Sequence, residues 1–148
     1  MVVSAVLVSG GCAPVLHVTP APQADAPACA QIMLNMPIEL VGLAKRGTDG
    51  QATAAWGETD PVVMRCGVDP PPPTTDRCVT VTDSDGKSTD WLSVPATDGS
   101  GGWVLTSYGR RPAVEVRVPA SVALKQPADL LVDLGPPVAY ASVYRTCL

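Results

Sequence analysis

The chain carries one histidine, His17, inside a stretch rich in proline and alanine. A Ser–His–Asp or Cys–His arrangement needs a histidine fixed in a fold, so neither is expected. No Cys-x-x-Cys pair is present, and a lone histidine in such a stretch does not complete a zinc site. No metal and no cofactor is expected. Glu39, Glu58, Asp60 and Glu115 could supply the two carboxylates of glycoside chemistry. Their spacing selects no pair, and solvated surface acids are the simpler reading. Asp83-x-Asp85-Gly86 with Asp90 faintly resembles a calcium loop. Lys87 stands where a third acidic ligand would be needed and no bidentate Glu follows, so a hairpin turn is expected there. Gly86-Lys87-Ser88 lacks the upstream glycine and the helix of a phosphate loop, and Gly99, Gly101 and Gly102 fall between strands.

Two groups of residues remain as candidates for binding. Trp56, Trp91 and Trp103 fall on segments read as neighbouring strands and could line a groove for sugar or peptide. The alternative is that they fill the core of a chain that has no Phe, since strand tryptophans usually pack inward. Arg110 and Arg111 sit at a strand-to-strand turn, where they could grip a carboxylate or phosphate. Solvation or pairing with a nearby acid is the commoner fate of such residues.

The cysteines speak to compartment. Met1 to Val8 is a short apolar run that leads into Ser9-Gly10-Gly11-Cys12. Small residues running into a cysteine after an apolar segment resemble the export signal and lipobox of a bacterial lipoprotein, in which Cys12 is lipidated and becomes the mature N-terminus. Ser9 stands where Leu or Val is usual, and no Lys or Arg precedes the run, so the true start codon is expected upstream of Met1. Residues 1–11 are thus read as a signal peptide, 12–28 as the lipidation site with a Pro/Ala-rich solvated tether, and 29–148 as one globular domain. Four cysteines then remain, Cys29, Cys66, Cys78 and Cys147, an even number that in an exported chain reads as two disulfides. Cys66 ends one expected strand and Cys78 begins the next, across the stiff run Pro70 to Pro73, so Cys66–Cys78 is the expected local bridge. Cys29–Cys147 is then the bridge that clamps the two ends of the domain.

The elements that must position these residues follow from pattern and composition. The chain has 148 residues, enough for one domain, with 46% hydrophobic and 16% charged residues. Sixteen prolines and 13 glycines point to many turns and few long helices. The net charge of −4 offers no basic patch for phosphates, so nucleic acid is not an expected partner. Apolar residues at 29, 32, 33 and 36 have helical spacing, and Pro37 ends that run. Ile38 to Leu43 reads as one strand. Thr53 to Trp56 and Val62 to Gly67 flank a turn. Val79 and Val81 alternate with Thr80 and Thr82, Asp85-Gly86 marks a tight hairpin, and Trp91 to Val94 returns. Trp103 to Tyr108 follows a glycine-rich turn. Val114, Val116 and Val118 alternate with Glu115 and Arg117, the clearest half-buried strand in the chain. Leu130, Leu131 and Leu134 suggest a helix near 127–134 that Pro136-Pro137 interrupts. The expected fold class is α+β, an antiparallel sheet of about five to seven strands with short helices from both chain ends packed on one face.

Trp56-Gly57, Pro61, Arg65-Cys66-Gly67-Val68, Cys78, Trp91, Trp103 and Gly109-Arg110-Arg111-Pro112 leading into Val114-x-Val116-x-Val118-Pro119 form an unusual combination. It resembles a domain-of-unknown-function family of small exported or lipid-anchored actinobacterial proteins, common in mycobacteria. The resemblance covers roughly Cys29 to Cys147 and implies export, the four cysteines and one compact domain, without an activity. The expected function is therefore a lipid-anchored cell-envelope protein acting as a non-enzymatic binding or accessory module. Its partner would be an envelope protein or a cell-wall component, with the membrane reached through the lipid anchor only. A cryptic cell-wall hydrolase that uses acidic residues is the alternative.

Overall fold

The computed structural model describes residues 14–123 and 129–148. The expected signal peptide, residues 1–11, and the expected lipidation site Cys12 lie outside the described residues. Alternation decides the centre of the fold. In β9 (Ala113–Val118) the side chains of Val114, Val116 and Val118 are buried, and Glu115 and Arg117 point the other way. In β4 (Val62–Val68) Val62, Met64 and Cys66 do the same. The two strands pair antiparallel, with Met64 opposite Val116 and Arg65 opposite Glu115. On the outward face the Arg65 guanidinium meets the Glu115 carboxylate at 2.8 Å, an opposite-charge pair directly across the strands.

Around this pair lie β1 (Glu39–Leu40), β2 (Leu43–Arg46), β3 (Thr53–Trp56), β5 (Cys78–Thr82), β6 (Ser88–Pro95) and β7 (Trp103–Ser107). All eight join one antiparallel sheet in the order β1-β2-β3-β4-β9-β7-β6-β5. A separate two-stranded ribbon pairs β8 (Arg110–Arg111) with β10 (Ser142–Val143). The helices are short: α1 (Pro27–Leu34), α2 (Ala120–Ala123) and α3 (Asp129–Val138). Cys29 and Ile32 of α1 and Leu130, Leu131, Leu134 and Val138 of α3 join the inward residues of the sheet in a single core. The architecture is α+β, mostly antiparallel sheet. No described helix is long and apolar enough to cross a membrane.

The strand count exceeds the expected five to seven because Ile38 to Leu43 is not one strand. It folds back at Val41-Gly42, both at positive φ (45° and 80°), into the β1–β2 hairpin. The Asp85-Gly86 hairpin forms as expected. Asp83 accepts the backbone N–H groups of Asp85 and Lys87, both at 2.9 Å, so its carboxylate serves the turn. Helix α1 begins two residues before the expected start, with Pro27 in the first turn, where the missing N–H costs nothing. Helix α3 runs through Pro136 and Pro137. The carbonyls left without a helical donor belong to Val132 and Asp133, which are half-buried and exposed, and past the prolines Ala139 N–H donates to Gly135 O at 3.0 Å.

Residues 14–26 are not the free tether expected from their composition. Val18, Ala21 and Ala24 are buried. A proline-rich extended segment has no internal hydrogen bonds, so its backbone groups remain available to the domain. Leu16 bridges Thr48, Val18 N–H donates to Asp49 Oδ1 at 3.0 Å, and Gln23 N–H donates to Gly67 O at 2.8 Å. Gly67, at φ 95°, permits this approach, since a Cβ there would collide with the backbone of Gln23. His17 is exposed and bonds Asp49 at 2.8 Å. That bond, with the Val18 N–H, holds the Asp49 carboxyl below its usual pKa. The ordered domain therefore begins by residue 14, not 29.

The cysteines pair as Cys29–Cys66 and Cys78–Cys147, with Cα separations of 5.6 and 6.0 Å. This corrects the expected Cys66–Cys78 and Cys29–Cys147 bridges. Strands β4 and β5 are consecutive in the chain but not neighbours in space, because β9, β7 and β6 lie between them. The proline-rich loop after β4 crosses to the far edge instead of closing a hairpin. Cys66 faces the core and meets α1, whereas Cys78 on the edge strand meets the C-terminal tail.

Candidate functional site

The tryptophans do not form the groove that was one reading of them. Trp56 on β3 and Trp91 on β6 are wholly buried, and Trp103 on β7 is half-buried against the core. β4 and β9 separate β3 from the other two strands. They are core residues, and the candidate binding surface loses Trp56 and Trp91. The acids are dispersed as well. Glu39 is exposed on the edge strand, and Glu115 is engaged by Arg65 and Arg117. Glu58 and Asp60 border a groove with Val41, Leu43 and Val122, where Asp60 accepts a hydrogen bond from the Ser121 hydroxyl at 2.8 Å. Among the described residues no three His, Cys, Asp or Glu side chains group as metal ligands do.

The arginine doublet is where the structure brings chemistry together. After β7 the chain turns at Tyr108-Gly109 into β8, and β10 returns beside it with Val143 opposite Arg110. Gly109, at φ 66°, lets the C-terminal tail lie on the turn. Its carbonyl accepts the N–H groups of Tyr144 and Arg145, at 2.8 and 3.3 Å. A Cβ at Gly109 would collide with the Arg145 backbone. The tail is fastened again at Cys147, through the bridge to Cys78 and through its N–H, which donates to Asp90 Oδ2 at 2.7 Å. Between tail and sheet edge lies a cleft of about 260 Å³, lined by Thr80, Asp90, Tyr108, Arg110 and Arg145.

Arg110 is only 6% exposed. Its Nη1 donates to Ala141 O at 3.0 Å, and its Nη2 reaches Ser88 O and Thr89 Oγ1 at 3.3 Å. These partners are neutral, and among the described residues Arg110 forms no ion pair. Burial lowers its pKa, with Asp90 partly opposing, but a guanidinium stays charged at any physiological pH. Asp90 does not neutralise it by contact, because Thr80 Oγ1 donates to one carboxylate oxygen at 2.6 Å and Cys147 N–H to the other. Arg145 lies over the Tyr108 and Tyr144 rings, 5.9 and 5.4 Å from their centroids, and Arg111 covers Tyr144 at 4.5 Å. The Arg145 Nη1 is enclosed and has no hydrogen-bond partner among the described residues. Of the doublet, Arg110 lines the cleft, and Arg111 stacks on Tyr144 with its side chain exposed.

A family model described as "Protein of unknown function (DUF3515)" matches residues 2–141. The chain belongs to the DUF3515 family. The match spans the eight-stranded sheet, β8 and the helices, and it includes the N-terminal segment that packs on the domain, whereas β10 and the tail with Tyr144, Arg145 and Cys147 lie beyond it. It bears out the expected membership of a domain-of-unknown-function family and assigns no activity. No curated protein and no solved structure matches the chain.

Sequence reasoning reached Arg110 through the arginine doublet but missed Asp90 and Tyr108 of the DUF3515 match, and Arg145 of the tail beyond it, as its partners. The available signal was Cys147, one residue from the C-terminus. A cysteine so placed implies a tail tied to the fold, and hence that Tyr144-Arg145 lies on a surface. A direct test of this architecture is Gly109→Ala. The added methyl strains the positive-φ turn and displaces the tail, at a cost of about 1–3 kcal/mol. Hydrogen exchange should show lost protection at Tyr144 and Arg145, whose amides bond Gly109, with the β4–β9 amides unchanged.

Proposed function

We propose that this is an exported, lipid-anchored cell-envelope protein of an actinobacterium, and that its domain is a non-enzymatic binding module for an envelope protein or cell-wall component bearing an anionic group. The observation that carries this reading is the buried Arg110 charge, held by neutral oxygens and left without a contacting carboxylate beside a cleft. A protein that needed Arg110 only for its own stability would be expected to pair it, since an uncompensated buried charge is costly. Two disulfides are consistent with an extracellular location. The resemblance to exported actinobacterial proteins supports the envelope placement.

The packing of residues 14–26 changes how such an anchor would act. The Pro14 carbonyl accepts a hydrogen bond from Arg46 Nη2 at 3.0 Å, so a lipidated Cys12 would be separated from the domain by Ala13 alone, at most about 7 Å. The domain would sit against the membrane instead of at the end of a long tether. Cys12→Ala should move the protein from the detergent phase to the aqueous phase on phase partition of expressing cells. A single acyl chain holds a protein only marginally, so a full shift requires the multiple chains of a bacterial lipoprotein. Wild-type protein found in the aqueous phase overturns the anchor. Turnover of cell-wall polymer by the purified protein overturns the binding reading.

A further inference from the structure

The C-terminal cleft has a charge balance that narrows the ligand, given the binding-module reading on which this inference rests. Arg110 and Arg145 contribute two positive charges and Asp90 one negative charge. Among these lining side chains, two positive charges against one negative leave an excess of one positive charge. The Asp90 carboxylate acts on Arg110 through space, while its two oxygens are held by the Thr80 hydroxyl and the Cys147 N–H. Arg145 lines the cleft as Arg110 does; among the described residues its Nη1 has no hydrogen-bond partner, and the Tyr108 and Tyr144 ring centroids lie 5.9 and 5.4 Å from its guanidinium. A planar fork of N–H donors matches a carboxylate in geometry as well as charge.

We propose that this cleft is a carboxylate site, which takes one singly charged carboxylate against Arg110 and Arg145, and that Asp90 makes it discriminate against doubly charged anions. A dianion placed on the two guanidinium groups would bring its second charge near a fixed carboxylate of like sign, which disfavours it. At about 260 Å³ the cleft is small, suited to a carboxylate and the few atoms that bear it. Thr80 and Ser88 are exposed at its rim, so the rest of a longer ligand leaves to solvent on that side. A chain-terminal carboxylate, which continues on one side only, fits a cleft of this size better than one in the middle of a polymer.

The test uses the folded, oxidised protein and four probes followed by NMR titration: N-acetylglycine, its amide, the side-chain acid N-acetylaspartate amide, and inorganic phosphate at a pH where it is a dianion. N-acetylglycine should bind saturably, with shifts at Arg145 and Tyr108, and the amide should not. A preference for N-acetylglycine over the aspartate derivative identifies a chain terminus as the source, and the reverse preference identifies a side chain. Phosphate should bind more weakly than N-acetylglycine. Arg145→Gln, a half-exposed position, should weaken carboxylate binding at least about ten-fold without loss of the folded spectrum. Asp90→Asn should strengthen phosphate binding more than carboxylate binding and narrow or reverse the preference. Amide binding equal to that of the acid, phosphate preferred by the wild type, or unchanged binding in Arg145→Gln each overturns the carboxylate assignment and leaves a binding module with another ligand. If no probe binds and the protein also retains no cell-wall fragment, both readings fall.

Discussion

Replacing Cys29 and Cys66 together with alanine should lower the stability of the domain by about 4–6 kcal/mol, more than the same change at Cys78 and Cys147, about 2–4 kcal/mol. Loop length alone predicts the opposite order. The Cys29–Cys66 bridge spans 37 residues and Cys78–Cys147 spans 69. In the chain-entropy model these constrain the unfolded chain by about 3.8 and 4.4 kcal/mol. The difference is small because the dependence is logarithmic. Packing reverses it. Cys29 and Cys66 are fully enclosed at the junction of α1 and β4, among Ile32, Met64 and Leu130 of the same core. Deleting both sulfurs leaves a void there, and a void in a close-packed core adds its own cost. Cys78 and Cys147 are half-buried at the sheet edge, where water fills the space. Denaturant midpoints of the two double variants measured without reductant decide the order. A larger loss for the edge pair would mean that unfolded-chain entropy, and not core packing, dominates in this domain. The same contrast in access sets the order of chemical reduction. A small thiol reaches the edge bridge first, because an attacking thiolate must touch a sulfur, and the arginine cleft should loosen before the core does.

The parts of the fold that were legible are those whose signal is local. The alternation of Val114, Val116 and Val118 marks β9 because a strand exposes successive side chains to opposite faces. Asp85-Gly86 marks a hairpin because that turn needs positive φ. Leu130, Leu131 and Leu134 mark α3 by helical spacing. What could not be read is which distant segments meet. Pro70 to Pro73 look like a hairpin loop between Cys66 and Cys78, yet the chain there travels across β9, β7 and β6 to the opposite edge. Nothing in the periodicity of β4 or β5 records their partners, so the disulfide pairing that assumed adjacency failed with it. The segment 14–26 shows a related limit. Its composition says that it forms no structure of its own, but not that Asp49 and Gly67 hold its backbone on the domain. The cleft was half legible. Arg110 stood out in a doublet, while Asp90 and Arg145 are single charges on segments 55 residues apart that only the sheet edge and the tail bridge bring together.

Trp56→Ala and Trp91→Ala should each cost about 3–5 kcal/mol, the range for emptying a buried aromatic site. The milder change to phenylalanine separates the two. Trp56 Nε1 donates to Pro37 O at 2.9 Å, the carbonyl where the chain leaves α1 for the β1–β2 hairpin. Trp56→Phe therefore removes both the outer ring and a hydrogen bond, and it strands a carbonyl near the core, a loss of about 1–3 kcal/mol beyond the packing. Trp91 Nε1 is buried with no partner among the described residues. A buried donor without a partner already weakens the native state, so Trp91→Phe gives up contact area but also removes an unmet donor, and the two partly offset. Thermal melts should rank Trp56→Phe as clearly the more damaging of the pair. A reversed rank would place a hydrogen-bond acceptor or a bound water at Trp91 Nε1. Binding supplies the second readout. Neither indole lines the arginine cleft, so each phenylalanine variant, once folded, should bind N-acetylglycine as the wild type does. A ligand that is lost when Trp56 or Trp91 is changed in a protein that still melts cooperatively must depend on the core that shapes the sheet edge, and not on an aromatic surface.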